Sequence, residues 1–281
     1  MNLIKKVLNK FFVTAEEIKA RSTVYQKILP EKKLFNKPFY FKGNNDKLII
    51  LVHGWSSTPY SIRRLGEYLN KKGYSVIGPL LSGHGRNPMD LEKVRCEDWI
   101  EDLEKTYRKV RNDFREIYLL GNSMGASLVS ILAGRSEKIK KIVLLAMPYK
   151  SKSDWKLFFG AKILPYFGIK SLRKYYKRKV ADLGTAVTPL ISYQRYPLKS
   201  ILEFLRCIKR SRQILPQVKQ PCLIIQAVDD HMIFNKSADI IYQKISSKIK
   251  RRKYLKNTYH AFISDLGMES VFEEIYKFLE E

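Results

Sequence analysis

The sequence is poor in cysteine and lacks long apolar runs. It has three cysteines in 281 residues, Cys96, Cys207 and Cys222, and this odd number without paired spacing argues against a disulfide framework or a zinc site. We therefore expect a reducing, cytoplasmic location, with Cys222 as a buried core thiol. No run reaches the roughly 18 apolar residues of a membrane-spanning helix. The first residues also lack the continuous apolar stretch and cleavage site of a secretory signal.

Acidic residues are also scarce relative to basic ones. The chain has 53 Lys and Arg against 27 Asp and Glu, a formal net charge of +26. Such an excess favours association with an anionic partner, for example nucleic acid or an anionic membrane surface, or it reflects a lysine-rich surface without a specific partner. The basic residues are widely spread and no nucleic-acid-binding motif is recognisable, so we do not expect nucleic acid as a partner.

The N-terminal segment, residues 1–30, has an amphipathic helical pattern. Apolar residues fall on one helical face with lysines between them: Leu3, Ile4, Val7, Leu8, Phe11 and Phe12. A basic amphipathic helix of this kind lies on an anionic bilayer or docks on its own domain. Peripheral contact with an anionic membrane is therefore one expectation for this segment.

The rest of the chain alternates strand-like and helical patterns. Strand-like runs are Lys47–His53, Tyr74–Leu80, Glu116–Gly121, Ile139–Met147, Cys222–Val228 and, more weakly, Arg252–Leu255. Helical stretches are Pro59–Lys71, Asp90–Asn112, Met124–Arg135, Lys236–Ser247 and Met268–Glu281. Near-continuous apolar strands separated by helices predict a mostly parallel sheet with helices on both faces. The alternating segment Leu34–Lys42 is expected to be an antiparallel edge strand.

The alternation stops between Met147 and Pro221. This stretch contains the basic and aromatic segments SLRKYYKRK and SILEFLRCIKR, which have helical patterns, and no convincing strand. A long insertion in a compact domain is more often a functional lid than a structureless loop. We therefore expect a core of residues 31–147 and 217–281 and a helical cap of residues 148–216.

The strongest chemical signal is the motif GNSMG at residues 121–125. It follows a strand-like run and precedes a helical one, which is the context that a G-x-S-x-G nucleophile turn requires. Small residues beside the serine let strand and helix approach closely, and the helix N-terminus favours a developing oxyanion. The motif predicts Ser123 as a nucleophile.

A second signal follows the strand Lys47–His53, where the chain reads HGW. The loop after this strand supplies one oxyanion-hole donor in such folds, and the residue after the nucleophile supplies the other. We therefore predict the backbone N–H groups of Trp55 and Met124 as the oxyanion hole. The side chain of His53 is expected to brace this loop.

The other two catalytic groups should follow in the order serine, acid, histidine. His231 and His260 lie after Ser123, and His231 is too close in sequence to the candidate acids to face them easily. His260, just before the last helix, is therefore the predicted general base. The acid is expected at the end of the strand Cys222–Val228, where position alone does not separate Asp229 from Asp230.

These motifs resemble those of small bacterial carboxylesterases and monoacylglycerol lipases of the α/β-hydrolase superfamily. The resemblance covers LVHGWSSTP, GPLLSGHG, EDWIEDL, LLGNSMGA, PCLIIQAVDDHMI and YHAF. It implies an α/β-hydrolase fold with a helical cap inserted after the sixth strand. The family pattern D-x-[MV]-[IV] falls on Asp230, Met232 and Ile233 and implies Asp230 as the acid, and the SGHG loop implies a structural His84.

The implied activity is hydrolysis of carboxylic esters through an acyl-enzyme on Ser123, without a cofactor or metal. Aromatic residues of the cap favour a small-molecule ester with an apolar acyl chain. Other reactions that use the same three residues, such as those of thioesterases, peptidases and carbon–carbon hydrolases, remain open, because fold does not fix function. A non-catalytic binding protein is a further alternative.

Overall fold

A seven-stranded sheet organises the protein. The computed structural model describes residues 12–152, 154–177 and 187–281. Its strands, numbered in chain order, are β1 (Phe12–Val13), β2 (Phe39–Phe41), β3 (Lys47–Val52), β4 (Ser75–Gly78), β5 (Glu116–Asn122), β6 (Ile139–Leu145), β7 (Ser171–Arg173), β8 (Tyr176–Lys177), β9 (Arg195–Pro197), β10 (Cys222–Ala227) and β11 (Lys250–Leu255). The large sheet has the order β11-β10-β6-β5-β3-β4-β2. It is parallel except for the edge strand β2, which confirms the predicted sheet.

Helices cover both faces of this sheet. They are α1 (Ala15–Arg21), α2 (Thr23–Ile28), α3 (Tyr60–Lys71), α4 (Cys96–Val110), α5 (Met124–Ala133), α6 (Asp154–Ile163), α7 (Thr188–Ile191), α8 (Leu198–Ile214), α9 (Ser237–Lys244) and α10 (Glu269–Glu280). In β3, Leu48 and Ile50 pack in the core beneath α4 and α5, while Ile49 and Leu51 pack beneath α3 and α10. Successive side chains of a strand point to opposite faces, so a strand buried on both faces is apolar throughout.

One predicted helix, Asp90–Asn112, is divided in two. A 3-10 helix spans Pro88–Lys93, and α4 begins only at Cys96. Extended backbone at Val94 and Arg95 separates them, and the Asp98 carboxylate accepts a hydrogen bond from the Arg95 N–H at 2.8 Å. This capping contact starts a new helix, which helical periodicity alone does not reveal.

The long excursion between β6 and β10 contains strands as well as helices. Strands β7 and β9 pair antiparallel, and β8 pairs antiparallel with β1. The prediction that the cap lacks strands was therefore wrong. The helical interpretation of SLRKYYKRK was also wrong over residues 171–177. Its last two residues, 178–179, lie outside the described residues. Tertiary pairing overrides local propensity in such short segments. SILEFLRCIKR does lie within α8, as predicted.

The described part of the N-terminal segment packs against the rest of the chain. Val13, Ile18, Val24 and Ile28 form a buried cluster with Phe35 and other residues of the domain. Residues 1–11, which carry most of the predicted amphipathic face, lie outside the described residues. The described residues of this segment therefore dock on their own domain, which is one of the two predicted alternatives.

The three cysteines differ from expectation in one respect. Cys96 at the start of α4 and Cys207 in α8 are joined by a disulfide, with 5.5 Å between their Cα atoms. The expectation of unpaired cysteines was wrong, because a pair 111 residues apart has no recognisable sequence spacing. Cys222 is a free, buried thiol, as predicted, and burial raises its pKa.

Candidate active site

Ser123 occupies the turn between β5 and α5. Its backbone has φ 55° and ψ −118°, a conformation that non-glycine residues rarely adopt and that is found mainly at functional sites. The residue is 9% exposed, and it directly precedes the N-terminus of α5. The turn therefore holds the hydroxyl at the carboxyl edge of the sheet, where open α/β sheets bind ligands.

The two glycines of the motif are required by close packing around this turn. A Cβ on Gly121 would lie 2.4 Å from the carbonyl carbon of Gly125, and a Cβ on Gly125 would lie 2.1 Å from the carbonyl oxygen of Val52. Both distances are far below van der Waals contact. Strand β3, strand β5 and helix α5 thus approach one another only because these positions lack side chains.

The structure brings together Ser123, Asp230 and His260 from three loops at this edge. His260 Nε2 lies 2.9 Å from Ser123 Oγ, and His260 Nδ1 lies 2.7 Å from Asp230 Oδ2. An ionised carboxylate can only accept a hydrogen bond, so Nδ1 carries the proton and Nε2 accepts from the serine hydroxyl. Asp230 is fully buried, whereas Asp229 is exposed and forms no part of this chain of contacts.

The Asp230 carboxylate is oriented by its own turn. Its Oδ1 accepts hydrogen bonds from the backbone N–H groups of Met232 at 2.9 Å and Ile233 at 3.0 Å. Burial raises the pKa of this carboxyl, but the neighbouring His260 and the N–H groups of Ile233 and Met232 outweigh burial, and the pKa lies below its usual value. The carboxylate is therefore ionised at neutral pH.

The turn that carries Asp230 is also bonded to the segment that enters the cap. The ammonium of Lys152 donates to the backbone carbonyl of Asp230. The N–H of Lys152 donates to the Met232 carbonyl at 3.1 Å, and the N–H of Phe234 donates to the Lys150 carbonyl at 2.7 Å. We call residues 150–152 the cap-entry segment; it forms a short antiparallel pairing with the acid turn.

Trp55 and Met124, whose backbone N–H groups are the predicted oxyanion donors, lie on the two segments next to Ser123. Met124 is the first residue of α5. A Cβ on Gly54 would lie 3.3 Å from the Cβ of Ser123, so the loop that carries Trp55 runs directly against the serine. The two segments that carry these residues therefore meet at Ser123, and the oxyanion hole itself stays a prediction.

His53 and His84 brace the loops around the site. His53 Nε2 accepts a hydrogen bond from the Leu81 N–H at 3.2 Å, and His84 Nε2 accepts from the Ser56 N–H at 3.1 Å. Burial lowers the pKa of His53 well below its ordinary value and that of His84 to about 4. Both rings are therefore neutral acceptors, which supports the structural roles expected for them.

A largely apolar pocket opens in front of Ser123. The indole of Trp55 stacks between the rings of Tyr196 and Phe204, with centroid distances of 4.7 and 5.0 Å. Leu157 from α6 and Ile201 from α8 also line the pocket, so part of its wall comes from the excursion between β6 and β10. The pattern of the sequence did not single out Tyr196, Phe204 or Ile201, because their positions depend on how α8 packs over Trp55.

Ionisable groups that the sequence did not place in the site also line the pocket, among them His231 and Asp265. His231 follows Asp230 directly, and its ring lies 6.0 Å from that of Tyr259, centroid to centroid. Asp265 lies five residues after His260 and is 7% exposed. The only signal that could have found them is their adjacency to the predicted acid and base. Within residues 12–152, 154–177 and 187–281, no three His, Cys, Asp or Glu side chains form a group suited to hold a metal ion.

A mostly parallel sheet with helices on both faces, a serine at a positive-φ strand–helix turn and a histidine on a C-terminal loop together define the α/β-hydrolase class. Residues 43–267 match the family described as "Serine aminopeptidase, S33". The chain belongs to this family, since the match covers most of its length.

Named relatives of the chain include two hydrolases from Bacillus. A carboxylesterase of Bacillus subtilis is 29% identical over 246 residues, which cover 87% of this chain and 96% of the relative. A thermostable monoacylglycerol lipase of a Bacillus species is 31% identical over 242 residues, which cover 86% and 93%. Both relatives are matched over nearly their full length.

Solved structures show the same fold. A structure of the metagenome-derived lipolytic enzymes LipS and LipT superposes with a TM-score of 0.77 at 25% identity, covering 87% of this chain and 97% of the other. The monoacylglycerol lipase of Paleococcus ferrophilus superposes with a TM-score of 0.71 at 18% identity, covering 86% and 97%. At 18% identity, the likeness to the Paleococcus ferrophilus enzyme shows a shared fold alone.

Proposed function

We propose that the protein is a serine hydrolase that cleaves carboxylic esters, with Ser123 as nucleophile, His260 as general base and Asp230 as the acid that orients it. The observation that carries this proposal is the continuous hydrogen-bonded path Asp230–His260–Ser123, with distances of 2.7 and 2.9 Å. The names of the two Bacillus relatives support esters as the substrate class.

In this mechanism, His260 Nε2 takes the proton of Ser123 as its oxygen attacks the ester carbonyl. The backbone N–H groups of Trp55 and Met124 would stabilise the oxyanion, a contribution of about 10²–10³-fold per donor in rate. His260 then gives its proton to the leaving alcohol, and water hydrolyses the acyl-enzyme by the same steps in reverse order. These steps need only groups of this chain and water.

Active-site labelling and ester hydrolysis together test this proposal. A fluorophosphonate probe should label the wild type and fail to label Ser123→Ala, and the same substitution should abolish turnover of p-nitrophenyl esters. Ser246→Ala, at an exposed position, is the matched control and should keep both. If Ser123→Ala retains full turnover, the proposal is wrong.

Peptidase activity is the second candidate function, because the matched family is described as a serine aminopeptidase family. The same three residues serve thioesterases and peptidases as well. Acyl esters, acyl thioesters and aminoacyl amides of matched size should therefore be compared at equal enzyme concentration. We expect the ester to have the highest kcat/KM; a higher value for the amide would make the protein a peptidase.

We further propose that residues 148–216 act as a cap that sets acyl specificity, next to a core of residues 31–147 and 217–281. Leu157, Ile201 and Phe204 support this assignment, since they line the pocket from the excursion. Their apolar surface suits an acyl chain. A ladder of p-nitrophenyl esters should give a maximum in kcat/KM at a defined chain length, and Ile201→Trp should move the maximum to shorter chains.

We propose peripheral contact with an anionic membrane through the outer surface of the cap. Large apolar side chains are exposed there, including Trp155 at 65%, Tyr166 at 89% and Phe167 at 75%. Lys156 and Lys162 lie over aromatic rings of the same helix, α6. Exposed aromatic residues among lysines suit the interface of an anionic bilayer. In the described residues, no helix is long and apolar enough to span a membrane.

Vesicle flotation tests the membrane contact. The protein should float with vesicles that contain phosphatidylglycerol and much less with pure phosphatidylcholine. The double variant Trp155→Ser, Phe167→Ser should lose about a hundredfold or more in partitioning, because each buried aromatic contributes roughly 1.5–3 kcal/mol. Tyr40→Ser, which removes an aromatic residue that is exposed on the edge strand β2, should have no effect. Equal partitioning of all variants would disprove the contact.

A cytoplasmic location is also our proposal, supported by the low cysteine content. The disulfide between Cys96 and Cys207 makes the thiol state a direct test. Alkylation of intact cells followed by mass spectrometry should find both thiols reduced if the protein works in the cytoplasm, and disulfide-bonded if it works in an oxidising compartment.

A further inference from the structure

A disulfide joins the core to the excursion that supplies part of the pocket wall. Cys96 is the first residue of α4, which packs on the sheet, and Cys207 lies in α8, within the excursion between β6 and β10. Both side chains are completely buried, each with 0% exposure. Disulfides in reducing compartments are usually transient, with redox-sensing or catalytic roles. A buried link between core and excursion is therefore placed to change the pocket when its redox state changes.

On the excursion side, the disulfide lies one helical turn from the wall of the pocket. Phe204 precedes Cys207 by three residues in α8, and residues at this spacing lie on the same face of a helix. The ring of Phe204 stacks on the indole of Trp55, with 5.0 Å between centroids, and lines the pocket together with Ile201. The position of Cys207 therefore helps to fix the ring that an acyl chain would contact.

On the core side, the disulfide lies one helical turn from the support of the active-site loops. Trp99 follows Cys96 by three residues in α4, and its indole Nε1 donates a hydrogen bond to the Ser82 carbonyl at 3.0 Å. In the same loop as Ser82, His84 accepts a hydrogen bond from the Ser56 N–H at 3.1 Å. The loop that follows β3 is therefore connected to both helices that the disulfide joins.

Polar contacts also join α4 and α8 at this junction. The Cys96 N–H donates to the Glu203 carboxylate at 3.0 Å. Arg210 pairs with Glu97 at 2.5 Å, but their side chains are 39% and 44% exposed, and exposed ion pairs contribute little to stability. Without the S–S bond, the junction depends on such contacts and on the apolar packing of α8. Loss of the bond should therefore loosen the turn of α8 around Cys207.

We propose that Cys96 and Cys207 form a redox clasp, a reversible disulfide that controls how closely the pocket fits a long acyl chain. As a disulfide, the clasp holds Phe204 against Trp55 and keeps the apolar wall in place. As two thiols, it lets α8 move away from α4, so that the wall contacts a long acyl chain less closely. An acetyl group ends one carbon beyond the reacting carbonyl and should bind equally well in both states.

Small oxidants and reductants balance the redox step. One thiol attacks an oxygen of hydrogen peroxide and forms a sulfenic acid, with release of one water. The second thiol displaces the sulfenic hydroxyl as water and forms the S–S bond, so that two thiols and one peroxide give one disulfide and two waters. A dithiol reverses the step by thiol–disulfide exchange, and its own two sulfurs become a disulfide.

Ester kinetics on the two redox forms test the clasp. The protein is treated with hydrogen peroxide or with dithiothreitol, freed of reagent, and checked for its thiol state by alkylation and mass spectrometry. We expect KM for p-nitrophenyl octanoate to be about fivefold lower in the disulfide form, within the range for one aromatic contact. KM for p-nitrophenyl acetate and kcat for both esters should agree within about twofold, because the change concerns binding of the long acyl chain alone. Renewed treatment with dithiothreitol should restore the higher KM.

Cysteine variants assign the response to the clasp. Cys96→Ala and Cys207→Ala cannot form the disulfide and should show the higher KM for octanoate after either treatment. Cys222→Ala removes the free thiol of β10 and should respond as the wild type does. Fluorophosphonate labelling of each variant reports an intact active site. The reduced wild type keeps both side chains and therefore controls for effects of the substitutions on folding.

Hydrogen–deuterium exchange tests the movement of α8 without relying on catalysis. Amide protons of residues 198–207 should exchange faster in the dithiol form, because backbone hydrogen bonds open more often in a less constrained segment. Helix α10 packs on the opposite face of the sheet. It should exchange equally in both forms and serves as the internal control.

Four results would overturn the clasp. The first is a wild type that keeps both thiols after peroxide treatment, and the second is equal exchange of α8 in the two forms. The third is a disulfide that leaves KM for octanoate unchanged, even if it raises the urea midpoint of unfolding, because the bond would then only stabilise the fold. The fourth is a redox response that survives in Cys207→Ala.

The kinetic test rests on the proposed ester hydrolase function, which can fail separately. If the wild type turns over no ester and is not labelled by the fluorophosphonate probe, the hydrolase function is wrong, and the exchange of α8 alone decides whether the clasp exists. Turnover of both esters without a redox response would leave the hydrolase function standing and remove only the clasp.

Discussion

The indole ring of Trp55 lies nearly parallel to the phenyl ring of Phe204, with 5.0 Å between centroids and 10° between planes. Trp55 therefore has two parts that can be considered separately, its indole side chain and its backbone N–H. Its side chain lines the pocket together with Phe204 of α8, and its backbone N–H is the proposed oxyanion donor. Substitution of the side chain removes the first part and keeps the second.

We therefore expect Trp55→Ala to act mainly on substrate binding. Loss of the stacked ring should raise KM for esters with an apolar acyl chain about tenfold, the effect of losing roughly 1.4 kcal/mol of aromatic contact. Trp55→Phe keeps a ring that can stack on Phe204 and should stay within about threefold of the wild type. A large fall in kcat with unchanged KM would contradict this division of roles.

The two adjacent carboxylates of the acid turn should differ sharply in their effect. Asp230→Asn should lower kcat on the order of 10⁴-fold, because an amide no longer fixes the tautomer of His260 or stabilises its protonated form. Asp229→Asn should leave kcat within about twofold, since its side chain is exposed and lies outside the contacts of His260. Steady-state kinetics on one p-nitrophenyl ester measure both. Equal losses would mean that the acid is shared or misassigned.

Two glycine substitutions should have opposite outcomes. Gly125→Ala places a Cβ 2.1 Å from the Val52 carbonyl oxygen, so the strand–helix turn must open. We expect a loss of about 3 kcal/mol or more in the free energy of unfolding, together with a loss of activity. Gly160→Ala, in α6, brings its Cβ no closer than 3.8 Å to Leu164. It should raise stability by roughly 0.5–1 kcal/mol through helix propensity. Urea unfolding of both variants provides the comparison.

Asp265 and His84 should have opposite effects on stability in the acidic range. The folded protein keeps the Asp265 proton up to about pH 7, above its ordinary pKa of 3.8, so this group stabilises the fold as the pH falls through that window. The buried His84 ring has a pKa of about 4 instead of 6.5. The unfolded chain therefore takes up a proton there first, and acidification destabilises the fold.

Asp265→Asn removes only the first of these two effects. Relative to the wild type, this variant should lose additional stability between pH 7.5 and pH 4.5, up to roughly 3 kcal/mol. Urea unfolding at the two pH values measures the difference. Parallel changes in the variant and the wild type would show that Asp265 does not keep its proton in the folded protein.

The three residues that the structure brings together, Ser123, Asp230 and His260, could be predicted from the sequence because their signals are local. The GNSMG motif lies between a strand and a helix, and the chain order restricted the histidine to His231 or His260. The separation of Asp230 from Asp229 needed either the family pattern or the structure. The distinction depends on which of the two carboxylates points inward. In the structure it is Asp230, which accepts hydrogen bonds from the N–H groups of Met232 and Ile233.

The features that the sequence did not reveal all depend on contacts between distant segments. The disulfide joins residues 111 apart, and the strands β7 to β9 exist only through pairing with each other or with β1. Their short segments carry no pattern of their own. Asp265 likewise reads as a polar residue before a helix, and only the fold turns it towards the pocket.

The pairing of the cap-entry segment with the acid turn has a practical consequence for exchanging modules between homologues. A chimaera whose crossover point falls at residue 148 would import a foreign strand beside Met232 and Phe234, and Asp230 would lose the carbonyl contact supplied by Lys152. Moving the junction beyond residue 152 would transfer the rest of the excursion, while the recipient kept its own contacts to the turn that carries Asp230.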